Sequence, residues 1–210
     1  ANIISDAKNR LLTPEMFEDE AGNDFRLRKI AAIYKQYQTT MMQSNVLDFD
    51  DIIMKTVELL EKFEDVRQNF QARFKYVCVD EYQDTNEAQF KLTALLASGY
   101  RNLMVVGDDD QSIYKFRGAT IENILNFDRV FKDAKVIKLE QNYRSTQTIL
   151  DAANAVIKHN VGRRGKNLWT NAGEGEKIYV KKTEDQNSEA RFIVDKINSY
   201  VASKKAEFKD

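Results

Sequence analysis

Tyr76-Val77-Cys78-Val79-Asp80-Glu81 is the stretch from which the fold can be read. Four apolar, mostly β-favouring residues stop abruptly at two acids, which reads as a buried strand with carboxylates at its carboxyl end. The pattern returns downstream. Glu87 to Leu96 has helical spacing, and Leu103-Met104-Val105-Val106 is a second apolar run, ending in Gly107-Asp108. Strand, helix and strand with acids at both strand ends predict a parallel sheet. Ligands of open α/β sheets gather beyond the carboxyl ends of the strands, so both acidic clusters are expected at a ligand site.

Upstream, Asp24 to about Met42 is charged, amphipathic and free of Gly and Pro, which predicts a long helix with Phe25, Ile30, Ile33, Tyr34 and Tyr37 near one face. Asp48 is placed to cap a second helix carrying Ile52, Ile53, Val57, Leu59 and Leu60. Downstream, Val136 to Leu139 reads as a strand and Ser145 to about Lys158 as a helix. Val161 to Gly175 reads as a loop, Lys177 to Lys181 as a strand and Ser188 to Val201 as a helix. The expected organisation is a helical segment (1–46), an α/β part (47–133) and a second α/β part (134–210).

The 210 residues are 42% apolar with 12 Phe and 9 Tyr, enough for a core. The 32 basic residues nearly cancel 33 acidic ones, so bulk charge points to neither nucleic acid nor a membrane surface, and any DNA contact must come from a local patch. No apolar run approaches the roughly 20 residues that span a bilayer. Cys78 is the single cysteine, and with His159 as the single histidine no metal-ligand constellation arises. Cytoplasmic residence without a membrane partner is the default expectation. The chain starts at Ala1 with no signal-like segment, so it reads as a piece with an internal boundary.

An apolar strand delivering Asp80-Glu81 is the Walker B arrangement: one carboxylate holds magnesium, usually through water, and its neighbour activates the attacking water. A solvated strand-end turn is the competing reading of those two residues alone. The full string Val79-Asp80-Glu81-Tyr82-Gln83-Asp84-Thr85-Asn86 resembles motif II of superfamily I DNA helicases of the UvrD/Rep/PcrA type. Val106 to Ala119, reading Val-Gly-Asp-Asp-Asp-Gln-Ser-Ile-Tyr-Lys-Phe-Arg-Gly-Ala, resembles motif III. Leu139-Glu140-Gln141-Asn142-Tyr143-Arg144-Ser145-Thr146 resembles motif IV, which opens the second RecA-like domain in that family. Leu47 to Ile52 and Asn160 to Thr170 also look like flanking signatures. Together these cover about residues 45 to 180.

The resemblance implies a P-loop NTPase of RecA-like parallel-sheet architecture that uses ATP and Mg2+, translocates on single-stranded DNA and unwinds duplex DNA. Asp80 would hold the metal and Glu81 activate water. Gln111 would sense nucleotide, Tyr114 and Phe116 would face DNA, and Arg117 would couple the two events. Tyr143 would stack on adenine and Arg144 stabilise charge on the γ-phosphate. General chemistry agrees: a strand-end glutamine can bond a phosphate, paired aromatics offer stacking faces to bases, and an arginine fork suits a phosphoryl group. Phe116 stands where some relatives carry tryptophan, a larger stacking surface. The bland readings remain beside these: Tyr114 and Phe116 as core, Ser145 as a helix N-cap with Arg144 a surface ion-pair partner, and Arg163, Arg164 and Lys166, which could touch phosphates, as solvated loop charges.

No Gly-rich string ending in Gly-Lys-Ser/Thr occurs. Gly162 to Asn167 has glycines only three residues apart and Asn167 in the hydroxyl position. The later helicase motifs are absent as well. The chain is therefore expected to hold the middle of a motor and to be inactive by itself. Two rivals stay open: a non-catalytic module binding single-stranded DNA or protein, and a part of a helicase-nuclease. The sequence names no protein partner.

Overall fold

Short polar side chains placed ahead of amide-rich segments set where the helices of this chain begin. In the computed structural model, which describes residues 2–209 and leaves the side chain of Arg117 outside the description, α1 is Asn2–Asn9 and α2 is Pro14–Ala21. The Thr13 hydroxyl accepts the Met16 amide, and Pro14 at the first position forfeits no hydrogen bond. α3 is Phe25–Gln43, capped by Asp24, which accepts the Arg26 and Leu27 amides at 2.8 and 3.0 Å. α4 is Phe49–Lys62 and opens with a reciprocal capping box between Asp48 and Asp51. α5 (Glu64–Arg73) follows directly.

The chain divides into two compact units, residues 1–139 with 157–166 and residues 140–156 with 167–210. In the first, Ala7, Phe17, Ala31 and Tyr34 form a buried cluster flanked by Leu27 and Ile30. Tyr34 is fully buried, donates its hydroxyl to the Leu12 carbonyl at 3.0 Å and meets Phe17 edge-on. The buried stripe of α3 is thus Leu27, Ile30, Ala31 and Tyr34, at helical i, i+3, i+4, i+7 spacing. This corrects the face read from the sequence: Phe25 falls on the opposite side of the helix and Ile33 on its flank, and both are exposed.

A buried lysine joins α1 to α4. Lys8 Nζ lies 2.6 Å from Asp48 and 2.9 Å from Asp51, with its side chain fully enclosed. Tyr37 donates to Asp48 at 2.9 Å and Gln38 to Asp51 at 3.0 Å, so each carboxylate has partners beyond the ion pair. An ammonium taken out of water persists only when paired and hydrogen-bonded in this way.

β1 (Val77–Val79), α6 (Glu87–Ala97) and β2 (Leu103–Val105) form a right-sized βαβ element, with β1 and β2 parallel and Val77 opposite Leu103, Val79 opposite Val105. Asn86 and Gln89 make a second capping box at the start of α6. Short helices α7 (Glu122–Leu125) and α8 (Phe127–Val130) follow. The α/β reading and its parallel pairing hold, yet the described sheet has two strands only. Cys78 and Met104 are exposed, so β1 is not the doubly buried strand expected. Val136 to Leu139 and Lys177 to Lys181 are not strands either. An extended run becomes a strand only when a second row of amides and carbonyls lies alongside, and none of the described residues pairs with them; Leu139 is 75% exposed and Val180 85%.

In the second unit a single parallel bridge links Gln141 and Trp169, with Trp169 donating to the Glu140 carbonyl and Asn142 to the Trp169 carbonyl. α9 (Gln147–Ile157) buries Leu150, and its first amides, on Gln147 and Thr148, donate to the carbonyls of Gly173 and Glu174. Ser145 therefore does not cap this helix; its own amide goes to the Asn142 side chain at 2.7 Å. α10 (Gln186–Ala202) is capped by Asp185, and Tyr179 stacks on Phe192 of this helix at 5.9 Å.

Removing the cation from the buried cluster leaves Asp51 buried and uncompensated, so Lys8→Met should cost about 3 kcal/mol or more in urea unfolding; a loss below about 1 kcal/mol would mean the ammonium is not needed. Burial pushes the Asp48 carboxyl up, but hydrogen bonds from Lys8, the Asp51 amide and Tyr37 outweigh it and hold its pKa below the ordinary 3.8. A carboxyl lowered on folding contributes stability above its unfolded pKa, and that contribution is lost as pH falls through the lower folded value. Parent-chain stability should therefore drop below pH 3.8 more steeply than that of Asp48→Asn.

Candidate functional site

Both strands of the first unit deliver acids at the same edge because they run parallel. Beyond β1 the chain turns through Glu81, a non-glycine residue in the left-handed region (φ 49°, ψ 40°). Such a backbone costs of order 1 kcal/mol and has to be held by its surroundings. Here the Glu81 amide donates to Asp80 Oδ1 at 2.9 Å, and the next amide, of Tyr82, donates to the Val106 carbonyl just past β2 at 2.9 Å. Tyr82 is fully buried edge-on to Phe127 at 5.6 Å, and burial pushes its phenol up to about 12. The turn is thereby nailed to the second strand while both carboxylates remain exposed.

Gln83 lies inside this turn and is 1% exposed. Its Nε2 donates to Glu81 Oε2 at 2.8 Å, and its Oε1 accepts the Asp108 amide at 2.9 Å. Gly107 gives it room: a Cβ there would stand 2.6 Å from Gln83 Oε1 and 2.8 Å from Ile124 Cδ1. On the β2 side Asp108 caps a 3-10 turn, Asp109–Gln111, and accepts the Gln111 carboxamide at 2.8 Å. The structure thus brings together Asp80, Glu81 and Gln111, three of the residues singled out from the sequence, in one unit.

The charges that sequence reasoning left solvated are engaged. Arg163 forms a two-pronged pair with Asp110 (Nε to Oδ1 2.6 Å), the Arg164 amide donates to Asp109 at 2.7 Å, and Lys166 pairs with Asp108. The Arg164 guanidinium reaches Asp128 and the Leu125 carbonyl. Three consecutive acids facing a loop of three bases is the signal the sequence carries for this pairing, sign complementarity across some 50 residues. The acidic triplet Asp108, Asp109, Asp110 clusters closely enough for a metal. Its carboxylates are instead committed to Arg163, Arg164 and Lys166.

Tyr114 and Phe116 lie with ring centroids 5.9 Å apart at 40°, and both are exposed, so the reading that placed them in a core does not hold. Arg117 lies outside the described side chains. In the second unit Tyr143 is 84% exposed, its hydroxyl donating to Gln141 at 2.9 Å. Arg144 is exposed, its amide donating to Asn142 at 2.9 Å. His159 is exposed too.

Parallel strands joined by a helix, with an acid pair after the first and an acid-glutamine turn after the second, define this as an α/β chain with its polar side chains gathered at one edge of the sheet. Two family matches carry it further: the UvrD/REP helicase N-terminal domain over residues 1–132 and the UvrD-like helicase C-terminal domain over residues 137–210. The chain belongs to the UvrD/REP helicase family. It is 49% identical over 202 residues to a Staphylococcus epidermidis protein named ATP-dependent DNA helicase PcrA, an alignment covering 96% of this chain and 28% of that protein. A Staphylococcus aureus protein of the same name is 49% identical over 194 residues, covering 92% of this chain and 26% of its own length. The chain thus spans about a quarter of these relatives.

Burial pushes the Asp108 carboxyl up, while hydrogen bonds from Lys166 and Gln111 and the Lys166 charge bring it below its ordinary value. Lys166→Met should leave the burial and remove the strongest counterweight, raising the Asp108 pKa in a carbon-detected NMR titration; an unchanged pKa would rule out this pairing. Gly107→Ala should cost about 1 to 3 kcal/mol in urea unfolding, because backbone and a fixed carboxamide, unlike a surface side chain, cannot step aside.

Proposed function

We propose that this chain supplies the middle of an ATP-driven DNA motor: a helical segment (1–46), the carboxyl-terminal half of a first RecA-like domain (47–133) and the front of a second (134–210). The observation that carries the reading is the hydrogen-bonded placement of Asp80-Glu81 and Asp108-Gln111 at one edge of parallel strands. Adjacent, water-exposed carboxylates are hard oxygen donors of the kind that suit Mg2+, which keeps several of its waters. Asp80 would hold that ion, which when bound supplies positive charge against the triphosphate.

Glu81 takes the proton of the attacking water, its carboxylate held at one oxygen by Gln83. Gln111 exchanges its bond to Asp108 for one to the γ-phosphate or the water. Tyr143 offers a ring face to adenine, and Arg144, permanently charged and fork-shaped, stabilises the transferring phosphoryl group. Tyr114 and Phe116 present ring faces to bases of single-stranded DNA, and Arg117 couples that contact to the nucleotide. The substrates are ATP, single-stranded DNA for translocation and duplex DNA for unwinding. No described helix is long and apolar enough to cross a membrane, and a cytoplasmic setting is proposed with the motor.

Positioning and electrostatics supply most of phosphoryl-transfer catalysis, and residues 1–210 contain no Gly-Lys-Ser/Thr phosphate loop. This polypeptide alone should therefore show no magnesium-dependent ATP turnover with or without single-stranded DNA. In a full-length family protein carrying the segment, Glu81→Gln should lower ATP hydrolysis ~10²-fold or more. DNA-dependent turnover by residues 1–210 alone that vanishes in Glu81→Gln would overturn the reading.

A further inference from the structure

The side chains proposed to act on water and on phosphate are not independent in this structure. Gln111 Nε2 donates to Asp108 Oδ2 at 2.8 Å, the Asp108 amide donates to Gln83 Oε1 at 2.9 Å, and Gln83 Nε2 donates to Glu81 Oε2 at 2.8 Å. The run crosses from the turn after β2 to the turn after β1 through one buried carboxamide. Lys166, on the other oxygen of Asp108, keeps that carboxylate charged and in place when Gln111 lets go.

We propose that Gln83 is a positioning residue, linking the Gln111 turn to the Glu81 carboxylate so that release of Asp108 by Gln111 is felt at the water-activating oxygen. The inference rests on the roles proposed above for Glu81 and Gln111. Three features favour a link over a mere space-filler. Both ends of the carboxamide are used, on two different strand-end turns. The carboxamide is enclosed, so water has little access to its atoms, and its Nε2 has one further acceptor, Asp84 Oδ2 at 3.4 Å. The glycine beside it leaves the carboxamide room, since a Cβ at Gly107 would stand 2.6 Å from Gln83 Oε1 as well as 2.8 Å from Ile124 Cδ1.

Two substitutions separate the link from simple packing, measured at pH 8 in a full-length family protein carrying this segment. Gln83→Glu keeps an acceptor for the Asp108 amide but removes the donor to Glu81 and sets a like charge against it. Gln83→Met removes both bonds at similar volume. A link predicts that Gln83→Glu lowers kcat for DNA-stimulated ATP hydrolysis ~10²-fold with KM for ATP within about two-fold, because misplacing one reacting group costs that much. Amide exchange at Asp108, whose amide is bonded to Gln83, should stay slow in Gln83→Glu and become fast in Gln83→Met. A kcat for Gln83→Glu within about two-fold of the parent, with slow exchange retained, would overturn the proposal and leave Gln83 structural. Should Gln83→Met fail to fold, the Gln83→Glu result decides alone. Glu81→Gln in the same assay keeps the two levels apart: if it retains turnover, the role of Glu81 falls and the link falls with it. If it is dead while Gln83→Glu is active, only the link falls.

Discussion

Parallel pairing of β1 with β2 is the constraint from which the chemistry of the first unit follows. Antiparallel partners would send their carboxyl ends to opposite edges and separate Asp80-Glu81 from Asp108 by the length of the ladder. Parallel partners need a crossover, and α6 supplies it, started by the Asn86-Gln89 box immediately after the acid turn. The register then does the rest. With Val79 opposite Val105, the Val106 amide donates to the Val79 carbonyl, and the Tyr82 amide, brought one residue out of regular register by the turn at Glu81, donates to the Val106 carbonyl, so the turn is hydrogen-bonded to the second strand and not merely near it.

That construction explains why the turn tolerates an unfavourable backbone at Glu81. The left-handed residue's own amide is bonded to the Asp80 side chain, the tyrosine after it is buried against Phe127, and its side chain is held by Gln83. Strain at one residue is offset by bonds at its neighbours, a pattern found where a side chain must point somewhere its local preference would not take it. The acid triplet after β2 is handled differently. Like charges on Asp108, Asp109 and Asp110 would repel at close quarters, and the loop of Arg163, Arg164 and Lys166 neutralises them from outside the turn.

Much of this was legible in the sequence, and the failures have physical causes. Helical period identified α3, α4, α6, α9 and α10 within a few residues, with a cap recognised at Asp48 alone, because the spacing of apolar side chains is a signal carried by neighbouring residues. The two strands with acidic ends were legible for the same reason. Val136 to Leu139 and Lys177 to Lys181 carry equally strand-like residues, but a strand is a relation between segments, and composition cannot say whether a partner lies alongside. The α3 face was misjudged because Phe25 and Ile33 are large and apolar, whereas the stripe that packs includes the small Ala31. Gln83 went unremarked inside a string read as a whole. Its importance comes from which amide it meets 25 residues later, and no pattern of residue types shows that.

One contact of α1 bears on how the acid turn comes into being. Asn9 accepts the Asn86 side-chain amide at 2.8 Å, joining the end of the first helix to the cap of α6 across 77 residues. Contacts so distant along the chain form only after a large loss of chain freedom, and structure that depends on them is assembled slowly. The start of α6 is thus fastened twice, by the Asn86-Gln89 box among its own residues and by a contact that only the closed chain supplies.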